Sequence, residues 1–223
     1  MTTVLLPVKR FLHSKERLAP LLDSSQRAEL ARAMFEDVWA TLFEAQKMPE
    51  SFDQLVVVSA ELFVLARCRK MNIPCLEEEE QISHSESVKR ASGWAASLGA
   101  TSLLSLAIDT PGATAEEIVY VSNLRKAFPV VVVPSADNSG TNALLRTPPE
   151  AIDPCFGPGS CNLHVEEAKK KGLPVLIFRS PGLATDIDTP EDLREFASKG
   201  PACRTRDLAR QWLTVQGGVA ACH

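Results

Sequence analysis

Short apolar segments alternate along the chain with longer segments in which apolar residues recur every three or four positions. The short runs, several of them rich in valine, predict buried strands, and the longer segments predict helices with one buried face. The predicted strands are Thr3–Val8, Leu55–Ser59, Ile73–Leu76, Leu103–Ile108, Val130–Val133 and Val175–Phe178, and a further apolar run covers Asn142–Leu145. The first predicted helix begins at Ser24 or Ser25, and the others cover Glu61–Met71, Ser87–Leu98, Glu116–Ala127, Glu166–Lys171 and Glu191–Ala197.

This alternation predicts an α/β fold with a mostly parallel central sheet covered by helices on both faces. In such sheets, ligands bind beyond the carboxyl ends of the strands. The loops that we expect at that edge therefore form the candidate site. They are Lys9–Leu22, Asp109–Ala113, Ser135–Asn142, Gly157–Ser160 and Asp186–Asp188.

The composition fits a single domain with a short appendage. With 223 residues, 45% of them apolar, the chain can bury a full core. We expect one domain over residues 1–197 and a C-terminal appendage over residues 198–223 with a short helix around Asp207–Leu213. The net charge of −4 argues against nucleic acid or an anionic membrane as partners. No run has the length of a membrane span or the pattern of a secretory signal, so a cytoplasmic location is expected.

The cysteines do not indicate a metal centre. None of the six forms a C-x-x-C pair or lies at zinc-ligand spacing from a histidine, so we expect buried residues or free thiols. Cys222 and His223 form a terminal pair that could bind adventitious metal, although a frayed chain end is the simpler expectation. The six are Cys68, Cys75, Cys155, Cys161, Cys203 and Cys222.

An acidic segment follows the last predicted strand. Asp186 and Asp188 are alternate residues, so on an extended strand both carboxylates would point the same way. Thr189, Pro190 and Glu191 then have the pattern of a helix start: a capping hydroxyl, a proline in the first turn and an acid. Paired acids at a strand end suit a divalent cation that also holds a phosphate. Taken alone, the segment is more simply explained by one capping acid and one solvated acid.

Asp109 favours the metal-site explanation over the simpler one, because it ends another predicted strand and could face Asp186 across the same edge of the sheet. Alone, such an aspartate is usually a turn residue or a helix cap. Two carboxylates from separate strand ends can hold Mg²⁺, which binds a few carboxylates and keeps positions open for phosphate oxygens. The pair therefore suggests a site for phosphoryl chemistry.

The loop after the first strand supplies positive charge. Lys9, Arg10, Lys15 and Arg17 would be a solvated charged loop if considered in isolation. At the strand ends, Lys9, Lys15 and Arg17 become candidates to bind phosphates and to stabilise the charge of phosphoryl transfer. The chain has neither G-x-G-x-x-G nor G-x-x-x-x-G-K-[ST], so it supports neither a dinucleotide-binding Rossmann enzyme nor a P-loop NTPase.

Two glycine-containing turns are further candidates for ligand contacts. In Ser135–Asn142, backbone N–H groups could receive an anion, and Phe156–Ser160 combines an aromatic residue with two glycines and a hydroxyl. Ordinary tight turns are an equally good explanation for each. His164 follows Ser160 by one helical turn, and a buried or capping histidine is expected there rather than a catalytic base.

Taken together, these motifs occur in one order that resembles a known family, the 2-phospho-L-lactate and phosphoenolpyruvate guanylyltransferases of coenzyme F-420 biosynthesis. The resemblance spans about residues Thr3–Phe196. It rests on Pro7-Val8-Lys9, Ser14–Pro20, Ala33-Met34, Asp109 with Pro111, Gly140–Leu145, Phe156–Ser160 with His164, and Asp186–Leu193.

The resemblance implies a three-layer nucleotidyltransferase fold, similar to that of nucleotide-diphospho-sugar transferases. It also implies transfer of GMP from GTP to the phosphate of a small phospho-acid, with release of pyrophosphate. The acceptor would be 2-phospho-L-lactate, phosphoenolpyruvate or 3-phospho-D-glycerate. By this analogy Mg²⁺ is held by Asp109 and Asp186 with Asp188 as a weaker candidate, the triphosphate by Lys9, Lys15 and Arg17, and the phospho-acid by Thr141, Gly157 and Ser160.

Two departures from the family pattern leave alternatives open. The family's Leu-Asn pair is replaced by Ser85-Glu86, and the leucine of its Asp-Leu-Pro motif is replaced by Thr110. These changes affect the expected contacts to the nucleotide base. The alternatives are therefore a non-catalytic nucleotide-binding relative, or a nucleotidyltransferase for another cofactor such as a pterin. A homodimer, paired through a helix after Pro201, is also possible.

Overall fold

The computed structural model describes residues 1–79 and 83–219. Its centre is a seven-stranded sheet in the order β3-β2-β1-β4-β6-β5-β7. Strand β6 is antiparallel to both of its neighbours, and the other pairings are parallel, which confirms the prediction of a mostly parallel sheet. The strands are β1 (Thr2–Val8), β2 (Gln54–Ser59), β3 (Cys75–Glu77), β4 (Ser102–Leu106), β5 (Val130–Pro134), β6 (Thr141–Arg146) and β7 (Val175–Ile177).

Helices cover both faces of this sheet, as the sequence pattern predicts. The helices are α1 (Ser24–Gln46), α2 (Leu62–Met71), α3 (His84–Ser97), α4 (Ala115–Asn123), α5 (Ser160–Lys170), α6 (Pro181–Ala184), α7 (Pro190–Lys199) and α8 (Arg204–Val219). Short 3-10 turns cover Phe11–His13, Glu16–Leu18 and Leu124–Lys126. The predicted loop Lys9–Leu22 therefore contains two of these turns.

The side chains of alternate strand residues pack against different helices, which creates the layers. Val4 and Leu6 of β1 belong to the large core formed with helices such as α1, α4, α7 and α8. Leu5 faces the other way, into the core with α3, and Val132 of β5 lies in a third cluster with α5. All seven residues of β1 are buried, as expected for a strand covered on both faces.

Two helix starts show how local chemistry sets the boundaries. Helix α1 begins at Ser24, one of the two predicted starts, and Asp23 caps it: its side chain accepts from the backbone N–H of Gln26, and the Gln26 side chain accepts from the N–H of Asp23. The predicted start at Thr189 is confirmed. Thr189 caps α7 with Pro190 at the first helical position, and Asp192 completes the capping box.

The C-terminal helix is longer than the short helix predicted around residues 207–213, and part of it packs against the main core. Ala209 and Trp212 are buried in the large core, and the Asp37 carboxylate of α1 accepts hydrogen bonds from the backbone N–H groups of Arg204 and Thr205. The pairing of subunits through this helix stays a prediction. The domain boundary at residue 197 stays a prediction, and residues 220–223, including Cys222 and His223, lie outside the described residues.

The acidic segment does not extend from a strand, so that expectation is wrong. Strand β7 ends at Ile177, the short helix α6 follows, and Asp186–Asp188 form an irregular segment before α7. The five cysteines described by the structure are all free thiols. Within the two described ranges, no helix combines the length and apolar content that crossing a bilayer requires.

Candidate active site

A cleft of about 1270 Å³ opens at the edge of the sheet where the parallel strands end. Its walls come from the loop after β1, the loop after β4, the turn before β6, the start of α5 and the segment before α7. The predicted site residues that line it are Lys9, Lys15, Arg17, Asp109, Thr141, Gly157, Ser160, Asp186 and Asp188. The structure therefore brings every one of them into one cleft, although 179 positions separate the first from the last in the numbering of the chain.

Lys15 lies between two of the acids. Its ammonium nitrogen is 2.7 Å from Oδ2 of Asp109 and 2.6 Å from Oδ1 of Asp188, and only 8% of its side chain is exposed. The backbone of Lys15 is left-handed, with φ of 57°, between the two 3-10 turns of the loop. A left-handed conformation is uncommon for a residue with a side chain and costs free energy that surrounding contacts have to offset.

The two charges in contact shift each other's pKa. Burial opposes the charge on Lys15, but the attraction of Asp109 and Asp188 is greater, so the pKa of Lys15 lies above its ordinary value. Burial likewise favours the neutral form of Asp109, yet the neighbouring ammonium holds the pKa of Asp109 below its ordinary value. Both groups are therefore charged at neutral pH. The ammonium occupies a point that carboxylate oxygens of Asp109 and Asp188 both contact.

Asp186 is arranged differently from Asp188. Its Oδ1 accepts a 3.0 Å hydrogen bond from the amide of Asn142, the second residue of β6, and no ion pair reaches it within the described ranges. Burial, together with the nearby charges of Asp109 and Asp188, raises the pKa of Asp186 above its ordinary value. The raised pKa means that burial and the neighbouring acids destabilise the ionised form of Asp186. A second cation would stabilise that form.

Backbone hydrogen bonds hold the acidic segment against the Asp109 loop. The N–H of Ile187 donates to the carbonyl of Asp109 over 3.1 Å. The Asp192 carboxylate accepts from the N–H groups of Asp188 and Thr189, at 3.0 and 2.7 Å. The positions of Asp186 and Asp188 are therefore set by the start of α7 and by the loop after β4 together.

Two further cations stand at the cleft. Arg17 lies 3.6 Å from Oδ2 of Asp188, and 69% of its side chain remains exposed. Lys9, the residue directly after β1, lines the same space. Because an exposed arginine loses little by changing partners, Arg17 is free to contact an anion that enters the cleft.

Hydroxyl groups form a further part of the cleft wall. Thr141 is buried at the start of β6, where its Oγ1 lies 3.1 Å from Nδ1 of His164. Ser160 opens α5, and its Oγ is buried without a hydrogen-bond partner among the described residues. The preceding Gly157 and Gly159 have φ of 124° and 74°, which a residue with a side chain rarely adopts, so these glycines permit the turn that delivers Ser160.

Ser85 occupies a position that we connected with the nucleotide base, but its contacts are with the turn before α5. Its Oγ accepts from the N–H of Phe156 over 2.8 Å and lies 3.3 Å from the Phe156 carbonyl. The next residue, Glu86, contributes its backbone N–H to the cap formed by Ser83. Ser85 therefore joins α3 to the turn that carries Ser160, a relationship that no sequence spacing indicates.

The turn before β6 does not offer the anion-binding N–H groups that we expected. The N–H of Ser139 donates to Asp137, and the N–H of Gly140 donates to the hydroxyl of Ser135. The Ser135 hydroxyl donates to Asp137, and so do the N–H and the hydroxyl of Ser139; these hydrogen bonds lower the pKa of Asp137 to about 2, so the turn carries a negative charge. This expectation is therefore wrong for Ser139 and Gly140.

The acids are suited to a metal that also binds phosphate. Across residues 1–79 and 83–219, no group of three or more His, Cys, Asp or Glu side chains is arranged to hold a metal ion on its own. Carboxylate oxygens are nevertheless the ligands that Mg²⁺ takes in small numbers, completing its shell with water and phosphate oxygens. Asp109 and Asp186 therefore fit a metal that is brought with a nucleotide.

Comparison with known proteins identifies a family. A family model described as "Guanylyl transferase CofC like" matches residues 2–216. The phosphoenolpyruvate guanylyltransferase of Conexibacter woesei is 35% identical over 219 residues, covering 95% of this chain and 96% of that protein. The 2-phospho-L-lactate guanylyltransferase of Methanothermobacter thermautotrophicus is 30% identical (94% and 90% covered), and the 3-phospho-D-glycerate guanylyltransferase of Colwellia psychrerythraea is 31% identical (88% and 91% covered).

Solved structures show the fold. A protein from Desulfovibrio desulfuricans G20, described as a nucleotide-diphospho-sugar transferase, superposes with a TM-score of 0.75 at 17% identity and 94% coverage of both chains. The manganese complex of Rv0371c from Mycobacterium tuberculosis has a TM-score of 0.51 at 16% identity, covering 89% of this chain and 98% of that chain. The fold is therefore that of the nucleotide-diphospho-sugar transferases, as expected from the sequence.

Proposed function

The chain belongs to the CofC-like guanylyl transferase family, and from this premise we propose that it transfers GMP from GTP to the phosphate of a three-carbon phospho-acid. The acceptor is phosphoenolpyruvate, 2-phospho-L-lactate or 3-phospho-D-glycerate, and the second product is pyrophosphate. The product is an intermediate of coenzyme F-420 biosynthesis. The reaction takes place in the cytoplasm, where GTP and phospho-acids are available.

One observation carries this proposal: acids, cations and hydroxyl groups line a single cleft. Asp109 and Asp186 supply negative charge for a metal, and Lys15 lies between Asp109 and Asp188. Transfer of a nucleotidyl group needs this set of groups, because negative charge is concentrated around phosphorus in the transition state of the reaction.

The cations bind the triphosphate. Lys15, which is buried, is the only one of them that already has two acids in contact at 2.6–2.7 Å. Arg17 and Lys9 lie nearer solvent and contact the outer phosphates. The strong charge-assisted hydrogen bonds of lysine and arginine to phosphate oxygens hold the nucleotide in line for attack.

The hydroxyl wall binds the acceptor. Thr141, Ser160 and the backbone at Gly157 line the same cleft as the acids. The unpaired, buried Oγ of Ser160 supports this role, since a buried hydroxyl without a partner costs free energy that a bound phosphate would recover.

Asp109 and Asp186 hold Mg²⁺ in this proposal, with Asp188 as a weaker candidate. Bound there, the metal would neutralise charge on the triphosphate. The raised pKa of Asp186 supports a second cation beside Lys15. Asp188 instead contacts Lys15 and Arg17, so its main role is to orient the two cations.

The bond changes are simple. An oxygen of the acceptor phosphate forms a bond to the α-phosphorus of GTP, while the bond from that phosphorus to the oxygen bridging the β-phosphate breaks. Pyrophosphate leaves with the electron pair. The attacking oxygen is already ionised, so the reaction needs no general base, and the neutral, buried His164 is not required as one.

A panel of acceptors tests the proposal. The purified full-length chain is incubated with GTP, MgCl₂ and each of the three acids, and pyrophosphate release is measured. We expect release with at least one acid and none without an acceptor. Absence of release with all three acids at millimolar concentration contradicts the proposal.

Two controls separate the chemistry from contaminating activity. Replacing GTP with ATP or CTP reports base preference, which matters because Ser85-Glu86 replace the pair expected at the base. The Asp109→Asn variant, purified in the same way, gives the background rate. A product containing GMP and the acid, identified by its mass, confirms where the nucleotidyl group went.

A further inference from the structure

The tautomer of His164 is determined by its contacts. The backbone N–H of Cys155 donates to Nε2 of His164 over 2.8 Å, so Nε2 has to carry a lone pair rather than a proton. A neutral imidazole then carries its proton on Nδ1. Burial, with a smaller effect from Arg146, lowers the pKa of His164 to about 4, so the ring is neutral at physiological pH.

That tautomer determines which way the next hydrogen bond runs. Nδ1 lies 3.1 Å from Oγ1 of Thr141, and with its proton it can only donate. The Thr141 oxygen therefore accepts, and its own proton remains for another partner. No other hydrogen bond to Oγ1 of Thr141 comes from the described part of the chain, and Thr141 lines the cleft.

The ring has little freedom to adopt another orientation. His164 is fully buried, one turn after Ser160 on α5, and the ring of Phe156 meets it edge-on with centroids 5.1 Å apart. Residues four apart on a helix lie on one face, so His164 lies on the face of α5 that carries Ser160 to the cleft wall. The contacts on both ring nitrogens therefore fix the direction of the hydrogen bonds at that wall.

We infer that His164 is a positioning residue that makes the Thr141 hydroxyl a dedicated donor to an oxygen of the acceptor phosphate. The direction runs from the Cys155 N–H through His164 and Thr141 to the ligand, and successive donors of this kind polarise one another. The oxygens of a phosphate dianion only accept hydrogen bonds, so a fixed donor suits them. A hydroxyl or amine group of a ligand also donates, and a fixed donor suits it less well. This inference rests on the proposed role of Thr141 in binding the acceptor.

Two variants of His164 separate the two hydrogen bonds. The amide oxygen of His164→Gln can accept from the Cys155 N–H, but this side chain lacks a donor at the Nδ1 position. His164→Asn has the opposite properties, since its amide N–H reaches the Nδ1 position and leaves Cys155 unpaired. Leu163→Gln, on the exposed side of the same helix, is the control and is expected to leave all constants unchanged.

The readout is the KM for the acceptor compared with kcat and with the KM for GTP. His164→Gln is expected to raise the acceptor KM by about tenfold or more, the effect of one hydrogen bond to a charged group, while the KM for GTP stays constant. His164→Asn is expected to raise it less. In a Thr141→Val background, His164→Gln is expected to add nothing. Equal effects of Gln and Asn, or a full additional effect in the Thr141→Val background, overturn the inference.

A measurement on the unaltered protein covers variants that fail to fold. A ¹H–¹⁵N correlation spectrum of histidine-labelled protein at pH 7 reports which ring nitrogen is protonated, and Thr141→Val identifies the His164 signal by its shift. Protonation at Nδ1 is expected, and protonation at Nε2 overturns the inference.

The inference and the proposed function can fail separately. If none of the acids supports pyrophosphate release, the proposed function fails, but calorimetric titration with phosphoenolpyruvate still tests the site. Weaker binding by His164→Gln than by the unaltered chain supports the inference. Equal binding by both overturns it.

Discussion

The ammonium of Lys15 lies 2.7 Å from Oδ2 of Asp109, although 94 positions separate the two residues in the sequence. The same nitrogen is 2.6 Å from Asp188, so one cation neutralises acids from two different loops. This arrangement defines the centre of the cleft, and it gives the first prediction.

Removing the Lys15 charge is expected to reduce both activity and stability. In Lys15→Met, Asp109 and Asp188 lie close together without a cation between them. We therefore expect a loss of about 1–3 kcal/mol in the free energy of unfolding. This loss is smaller than for a fully buried pair, because both acids are partly exposed to solvent. The expected fall in kcat is about 100-fold or more. Urea denaturation and pyrophosphate release measure the two effects.

The same variant tests whether a metal binds among the acids. MgCl₂ is expected to stabilise Lys15→Met more than the unaltered chain, because the metal replaces the missing charge. Arg10→Met, in the same loop and exposed, is the matched control and is expected to resemble the unaltered chain. An identical effect of MgCl₂ on Lys15→Met and the unaltered chain contradicts metal binding at these acids.

The two proposed metal ligands should be indispensable. Asp109→Asn and Asp186→Asn preserve the size of each side chain but remove its charge, and turnover is expected to fall to background in both while the circular dichroism spectrum is unchanged. Asp188→Asn is expected to retain more activity, because Asp188 orients Lys15 and Arg17. Full turnover of Asp109→Asn or Asp186→Asn with Mg²⁺ present would rule out the proposed mechanism.

Ser85 should influence the acceptor rather than the nucleotide. Ser85→Ala removes the hydroxyl that contacts both backbone groups of Phe156, which loosens the turn leading to Ser160. We expect the KM for the acceptor to rise by about five- to tenfold, the effect of one neutral hydrogen bond, with the KM for GTP unchanged. Arg90→Gln, exposed on the same helix, is the control. A selective change in the KM for GTP would instead assign Ser85 to the nucleotide side.

The protein should lose stability as the pH falls from about 6.5 to about 4. Burial lowers the pKa of His164 from 6.5 to about 4, so between these values the unfolded chain binds a proton that the folded chain does not. This contribution is complete above pH 6.5 and amounts to about 3 kcal/mol. Urea titrations at several pH values measure it. His164→Gln, which cannot titrate, is expected to have a flatter profile, and an unchanged slope in that variant contradicts the assignment.

The Asp37 carboxylate should stabilise the last helix. It accepts from the backbone N–H groups of Arg204 and Thr205 and from the Thr205 hydroxyl at 2.6–3.2 Å. Asp37→Ala is expected to cost about 1–3 kcal/mol, because it leaves these donors without their partner. Denaturation with urea measures the loss, and Glu29→Ala, exposed on the same helix, is the control. Unchanged stability of Asp37→Ala would mean that α8 contributes little to the fold.

Much of this fold could be predicted from apolar periodicity, because buried strands such as β5 and long amphipathic helices such as α1 are specified locally. Helix α6 and the length of α8 were missed. Helix α6 is only four residues long, and α8 depends on burial of Ala209 and Trp212 against other helices. Tertiary packing of this kind leaves little signal in a short stretch of sequence.

The composition of the cleft was predictable in part. Motif order placed Asp109, Asp186 and Lys15 together, but it did not indicate that Lys15 pairs with Asp188, 173 positions away, or that Asn142 holds Asp186. The contact of His164 with the Cys155 backbone is likewise invisible, because a backbone N–H has no sequence signature. Pairings between distant loops emerge only when the sheet brings the loops together.

Strand β6 is antiparallel to its neighbours, so it begins at the cleft where the others end. Its first residue, Thr141, contacts His164, and its second, Asn142, contacts Asp186. Their Cα atoms are about 3.8 Å apart across one trans peptide bond. In the proposed reaction, two successive residues of one strand therefore contact both parts of the site, the acceptor side through Thr141 and the metal-binding Asp186 through Asn142. A shift of the start of β6 would therefore disturb the acceptor side and the metal side of the cleft together.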